Sequence, residues 1–338
     1  MHLAARLGKR RVLAEMLSKE PNLDPTWTDG SCRNSIHYAA AGGSVEALQI
    51  MLDLLGDRKT SDILDARDNH GTTALHFACE FNFSDVVKML LANGASHKIQ
   101  NDAGLYAIHT AAKKGSQSLE VILGLPDCVH IDVRDSEGLS SLMIACLHGN
   151  DAGATTLLEK GADATVTDAD GMGLAHACVE AADPRLLKMV VAAGARVRCK
   201  DGSGSEPIHL AASSGNVACL EVLMACDMID LNALDGEGRS ALHLACVGGH
   251  AHFVETLIKD KRVNVNLVNS AGFELFVVLG FHFLTRLKKK KKKKKKDQTA
   301  LHLASQNGKL DVVKVLLNLR PDLDIVKVFV FLLSLFVV

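Results

Sequence analysis

The sequence predicts an all-α solenoid: stacked helix-turn-helix units joined by hairpin-like loops. Two observations carry the prediction. The stretch Thr73-Ala74-Leu75-His76-Phe77-Ala78-Cys79 returns along the 338-residue chain as His37-Tyr38-Ala39-Ala40, Ile208-His209-Leu210-Ala211-Ala212, Ala241-Leu242-His243-Leu244-Ala245-Cys246 and Thr299-Ala300-Leu301-His302-Leu303-Ala304. A recurrence of this length marks small units, none of which can bury its apolar face alone. The composition agrees, because 48% hydrophobic residues with only 4% aromatics imply a core of Leu, Val, Ile and Ala, suited to short helices packed closely. A chain of this length ordinarily suggests two domains. A solenoid grows in one dimension without dividing, so a single array is expected.

The histidine slot sets the phase. It is filled at His2, His37, His76, His109, His176, His209, His243 and His302, with Met143 in its place once, at intervals of 35, 39, 33, 34, 33, 33, 34 and 59 residues. Eight of the fifteen histidines thus share one structural position, which removes them as metal or catalytic candidates.

Each unit repeats one grammar. An acid and a glycine open it, as in Asp68-Asn69-His70-Gly71, Asp135-Ser136-Glu137-Gly138 and Asp235-Gly236-Glu237-Gly238, residues suited to tight turns. A short first helix follows, beginning near Thr73 or Ser240. It stops at a glycine in six copies: Gly43, Gly115, Gly149, Gly215, Gly249 and Gly308. A second helix carries apolar residues at helical spacing, such as Val86, Val87, Leu90 and Leu91, and ends at turns such as Asn93-Gly94-Ala95.

On these residues the chain resembles the ankyrin-repeat family, whose pattern runs Asp-x-x-Gly-x-Thr-Pro-Leu-His-x-Ala-Ala and closes on Gly-Ala-Asp-Val-Asn. Residues 68–99 and 235–266 follow it closely. The resemblance covers nearly the whole chain in about nine repeats and implies a fold used to bind other proteins, without identifying the partner. Thr-Pro-Leu-His is nowhere intact; Pro207-Ile208-His209 comes nearest. Met143 removes the histidine tie from the fifth unit, and Gly173 stands at a helix start in the sixth, so looser packing is expected between about 138 and 195. Gly56 to Asp62 reads as a lengthened loop after a second helix.

Residues 1–272 are therefore read as ankyrin repeats, the first truncated at its N-terminus. Residues 273–297 break phase, and subtracting these 25 from the 59-residue interval restores 34. This stretch, an apolar segment followed by nine lysines, reads as a disordered loop or a translated intron. Residues 298–325 are a final incomplete repeat, and 326–338 an apolar tail outside the fold, too short to span a membrane. The repeats are expected to belong to a longer chain.

The formal net charge of −1 conceals an acidic body, since without the nine lysines at 288–296 the remaining 29 basic residues face 39 acids, a balance of −10. That argues against nucleic-acid binding, and against a membrane unless the lysine run and the tail are engaged. Cys79, Cys146 and Cys246 fall in one small-residue slot, as reduced core thiols of a cytoplasmic or nuclear protein would.

No phosphate-loop, dinucleotide or zinc-hydrolase motif occurs. Gly202-Ser203-Gly204-Ser205-Glu206 lacks the lysine that a phosphate loop needs. His250 matches the family's Gly-His, and the paired acids at Asp168 and Asp170 or Asp235 and Glu237 sit in repeat turns. No enzyme activity, catalytic residue, cofactor or metal is expected.

The expected function is a monomeric, non-enzymatic scaffold or adaptor that binds a protein through the concave face of the array. Its candidate residues are Asn69, His70, Asp102, Ser136, Glu137, Asp170 and Glu237 on the loops. Glu80, Phe81, Lys113, Lys114, Leu147, His148, Ser213 and Ser214 lie at the ends of the first helices. Phe81 reads either as an aromatic anchor for a partner or as local packing against Phe83, while Trp27 reads as a local cover. The alternative is the cytosolic ankyrin region of a larger protein, an ion channel or a signalling enzyme.

Overall fold

A computed structural model describes the chain apart from residues 21, 57–60, 127, 129, 270–297 and 320–338. The phase-breaking stretch and the apolar tail therefore lie outside the described residues. The described chain forms two compact units, Met1–Arg196 and Val197–Val338.

In the first unit the first helices of the repeats are α1 (His2–Arg6), α3 (Ser35–Gly42), α6 (Ala74–Glu80), α8 (Ala107–Ala111), α10 (Ser141–Leu147) and α12 (Leu174–Glu180), each packed on the next. The second helices α2 (Arg10–Lys19), α4 (Val45–Leu55), α7 (Ser84–Ala92), α9 (Gln117–Leu123) and α11 (Asp151–Glu159) pack in succession likewise, and α13 (Pro184–Ala192) packs on α12. The lengthened loop is helical in part: α5 (Ser61–Leu64) occupies its end and buries Leu64.

In the second unit α14 (Pro207–Ser214), α16 (Ala241–Gly248) and α18 (Ala300–Gln306) make one row, and α15 (Val217–Met224), α17 (Ala251–Ile258) and α19 (Leu310–Leu319) the other. A two-residue pair, β1 (Val268–Asn269) with β2 (Gln298–Thr299), precedes α18.

The longest described helix has 11 residues, short of the roughly 12–15 at which an isolated helix begins to hold. Packing must supply the rest. The small-residue pairs Ala39-Ala40, Ala78-Cys79, Ala111-Ala112, Ala145-Cys146, Ala177-Cys178, Ala211-Ala212 and Ala245-Cys246 are wholly buried, so neighbouring first helices approach closely. At one crossing a Cβ added to Gly42 would lie 1.9 Å from the carbonyl oxygen of Arg6. The second helices bury larger groups, including Leu48, Val87, Leu119, Leu157, Leu187, Leu220, Phe253 and Leu316.

Helix starts are capped from side chains. Asn150 Oδ1 accepts from Gly153 N at 3.0 Å, Asn216 Oδ1 from Cys219 N at 3.0 Å, and Asp183 Oδ1 from Arg185 N and Leu186 N ahead of Pro184 in the first turn. Asn150 does more: its Nδ2 donates to Ala112 O at 2.9 Å and Gly115 O at 2.8 Å, joining α11 to the preceding repeat.

The glycine that stops each first helix is left-handed, as at Gly43 (φ 69°) and Gly215 (φ 70°). Two units lack that glycine. Asn82 (φ 58°) and Ala182 (φ 56°) adopt the same conformation with a side chain. Asn82 tolerates it and uses its amide to reach Gln117 and Ser118 of the next repeat. Ala182 has no such compensation, so Ala182→Gly should stabilise the fold by about 1 kcal/mol, measured as a higher denaturation midpoint.

Met143 is fully buried and cannot tie its neighbour. At that junction the guanidinium of Arg134 instead donates to Thr167 O, in the loop that opens the next repeat. Arg134→Ala should therefore cost about 1 kcal/mol in urea unfolding, and adding Met143→His should recover part of the loss.

Candidate protein-binding surface

The opening acid of each repeat shapes its own loop. Asp68 Oδ1 accepts from His70 N and Thr72 N, both at 2.9 Å. Asp135, Asp168, Asp201 and Asp235 repeat this double bond to the second and fourth residues after them. These are Asx turns, and they use the very carboxylates that would otherwise look available for acid-base chemistry. Burial pushes the Asp68 carboxyl up, but the amide bonds from Thr72 and His70 and the Arg33 guanidinium together hold it below its usual pKa. Asp29 is pulled down to about 2, first by the hydroxyl of Tyr38.

Each tip then bonds to the one before it. Asn69 N donates to Ser31 O at 3.0 Å, Asp102 N to His70 O at 3.0 Å, Ser136 N to Ala103 O at 3.3 Å and Ala169 N to Glu137 O at 3.3 Å. In the second unit Gly236 N donates to Ser203 O at 3.1 Å.

The candidate residues divide into two groups on this frame. Several are engaged inside the protein: Asn69 Nδ2 donates to Gly30 O at 3.2 Å, Ser136 Oγ to Ala103 O at 2.6 Å, and Asp102 Oδ1 receives Arg67 at 3.0 Å. Ser213 and Ser214 turn back onto Leu210 O at 2.9 and 3.0 Å, His148 Nδ1 lies 3.0 Å from Ile144 O, and Glu237 pairs with Arg239 at 2.9 Å. His70, Glu137 and Asp170 remain exposed, with no side-chain hydrogen bond or ion pair among the described residues; Leu147 is half-buried.

One group converges in the first unit. Phe81, which caps α6, keeps 43% of its surface exposed while its ring lies 6.0 Å from that of Phe83. Lys114 Nζ sits 5.4 Å from the centre of the Phe81 ring, and Lys113 Nζ 4.0 Å from Glu80 Oε1. The aromatic therefore packs locally on one side, stays partly exposed, and has the Lys114 ammonium over its ring.

Trp27 is 60% exposed, so it does not cover its loop as expected. Val247, 41% exposed near the end of α16, is a helix-end residue that the sequence reading passed over. Its place two residues before Gly249, matching Ser213 before Gly215, was the available signal.

The histidine slot is structural. In six repeats the N-cap backbone N–H donates to histidine Nδ1, at 3.0 to 3.3 Å for His37, His76, His109, His176, His209 and His243. Nε2 of His37, His76, His109 and His209 then donates to Ala66, Leu105, Val133 and Ala233 carbonyls at 2.9 to 3.0 Å. A neutral ring protonated at Nε2 satisfies both bonds, whereas a second proton would face the N-cap N–H. Burial lowers the pKa of all four rings and takes His76 to about 4.

Among the described residues no cluster of three or more His, Cys, Asp or Glu could hold a metal ion, and no helix is long and apolar enough to cross a membrane. Cys79, Cys146 and Cys246 are buried, and burial raises the thiol pKa of Cys79 and Cys246 far above the ordinary value.

Comparison with known families places this architecture. The family description "Ankyrin repeats (3 copies)" matches residues 1–101, 92–168 and 174–269, and "Ankyrin repeat" matches 296–328. The chain belongs to the ankyrin-repeat family. It is similar to mouse B-cell lymphoma 3 protein homolog, 31% identical over 196 residues, covering 56% of this chain and 43% of that protein. Human transient receptor potential cation channel subfamily A member 1 is 24% identical over 199 residues, covering 56% of this chain and 17% of the channel. The probable 26S proteasome regulatory subunit p28 of Saccharomyces cerevisiae is 28% identical over 174 residues, covering 51% and 74% respectively. This chain thus spans less than half the length of the first two relatives.

The imidazoles give a prediction with a definite sign. Unfolded histidine protonates near pH 6.5, while these folded rings stay neutral to lower pH. Their contribution is complete above about pH 6.5 and is lost as pH falls towards 4. Thermal melts from pH 7.5 to 5 should show the midpoint dropping by several degrees, and His76→Gln should flatten that dependence.

Proposed function

We propose that this chain is a non-enzymatic protein-binding scaffold or adaptor, working through the loop tips and first-helix ends of its first unit. The observation that carries the proposal is Phe81, an aromatic kept 43% exposed on a rigid helix end with Lys114 over its ring. A partly exposed aromatic on a preformed support can anchor a partner at little entropic cost. The Lys114 ammonium over the ring favours a partner segment that offers an apolar side chain to Phe81 and a carboxylate beside it. The buried histidines and core thiols belong to the fold, and the acids of the turns are spent on backbone N–H groups. Family membership supports interaction with protein over chemistry.

A second reading treats these repeats as the cytosolic ankyrin region of a larger protein, an ion channel or a signalling enzyme. The similarity to the much longer human cation channel subunit favours it. Full-length transcript sequence that continues into six long apolar spans would establish the channel form.

The scaffold proposal is tested by comparing wild type and Phe81→Ala in quantitative capture from cell extract, with circular dichroism to verify the fold. Captured partners should fall about tenfold or more, the effect of losing a hot-spot aromatic. Equal capture by a folded variant would remove Phe81 from the binding surface.

A further inference from the structure

Backbone pairing in the second unit measures residues 273–297 independently of the histidine spacing. In two uninterrupted repeats of the first unit, an antiparallel bridge closes the opening loop: Arg134 with Ser140, and Thr167 with Gly173. Each bridge joins the residue just before the opening acid to the N-cap of the first helix, and its ends are six residues apart in sequence. The final repeat forms the same closure. Val268, just before Asn269, pairs with Thr299, just before α18, in antiparallel register. These ends are 31 residues apart, a surplus of 25 over the ordinary loop, and 25 is the length that the histidine intervals set aside.

Beyond the closure the repeat is complete. α18 packs on α16 and α19 on α17, as neighbours do elsewhere in this unit. Ala300, Leu301, Leu303, Ala304, Val312 and Leu316 are buried, as are Asn269 and Thr299 beside the closure. Lys309 reaches across to Gly249, where its side chain would meet an added Cβ at 2.8 Å.

We infer that residues 273–297 are a dispensable excursion from a hairpin that closes without them, so that chains with and without the segment share one repeat fold. The two forms would differ in charge. Without the segment 28 basic residues face 37 acids, a balance of −9 against −1 for the full chain.

A deletion that joins Gly272 to Gln298 tests this directly. The variant should keep α18 and α19 as protected from amide hydrogen exchange as in the full chain. Its thermal midpoint should be equal or higher, because a shorter loop costs less entropy to close. A second variant replacing the 25 residues with a Gly-Ser segment of equal length should match the full chain in both measurements. Loss of protection in α18 and α19 on deletion, or failure of the deleted chain to fold while the full chain folds, would overturn the inference. So would loss of that protection in the Gly-Ser variant, which would show that the fold uses the segment's own side chains.

Discussion

Stacking is the constraint from which everything else follows. Helices of four to eleven residues have too few internal hydrogen bonds to persist alone, and within each unit their apolar faces pack on neighbouring repeats. Alanine and cysteine at the closest crossings let backbones approach, while Leu, Val and Ile fill the wider space between second helices. Stability in such an array is largely a sum over junctions, so the polar ties at each junction weigh more than their individual strengths suggest.

Those ties are varied in detail and uniform in purpose. Histidine carries most of them, linking its own N-cap to a carbonyl in the following loop. Where Met143 interrupts the series, Arg134 supplies a donor to the same loop. Asn82 and Asn150 add bonds between second-helix starts and the preceding or following repeat. The fold thus tolerates loss of its signature residue at one junction, because another side chain donates to a carbonyl of the same loop.

Much of this was legible in the sequence, since periodicity is what a repeat protein writes most plainly. The spacing of His37, His76, His109 and their counterparts marked the first helices, and Gly43, Gly115 and Gly215 marked where those helices stop. The short helix α5 was not legible, because its four residues are too few for a period to register. The candidate surface was legible only as a set of positions. Whether Ser136 points outward or bonds to Ala103, and whether Ser213 faces solvent or its own helix, depends on single rotamers set by the neighbouring repeat. Phe81 stood out by its residue type in a slot otherwise filled by polar or small groups. Trp27 was misjudged because a loop's covering contacts are made in three dimensions and leave no spacing to count.

The Asx turns have a consequence for how such a surface diversifies. Because Asp68 and its counterparts draw the loop closed with their own carboxylates, the side chain of the second residue after the acid contributes little to its shape. Asn69-His70, Ser136-Glu137 and Gly236-Glu237 differ in size, charge and flexibility, yet occupy the same turn. The second enclosed position, held by His70, Glu137 or Glu237, can therefore be rewritten without refolding the scaffold, whereas a side chain at Gly236 would meet Ser203 O at 2.3 Å, so recognition can drift at one position while the architecture is inherited unchanged.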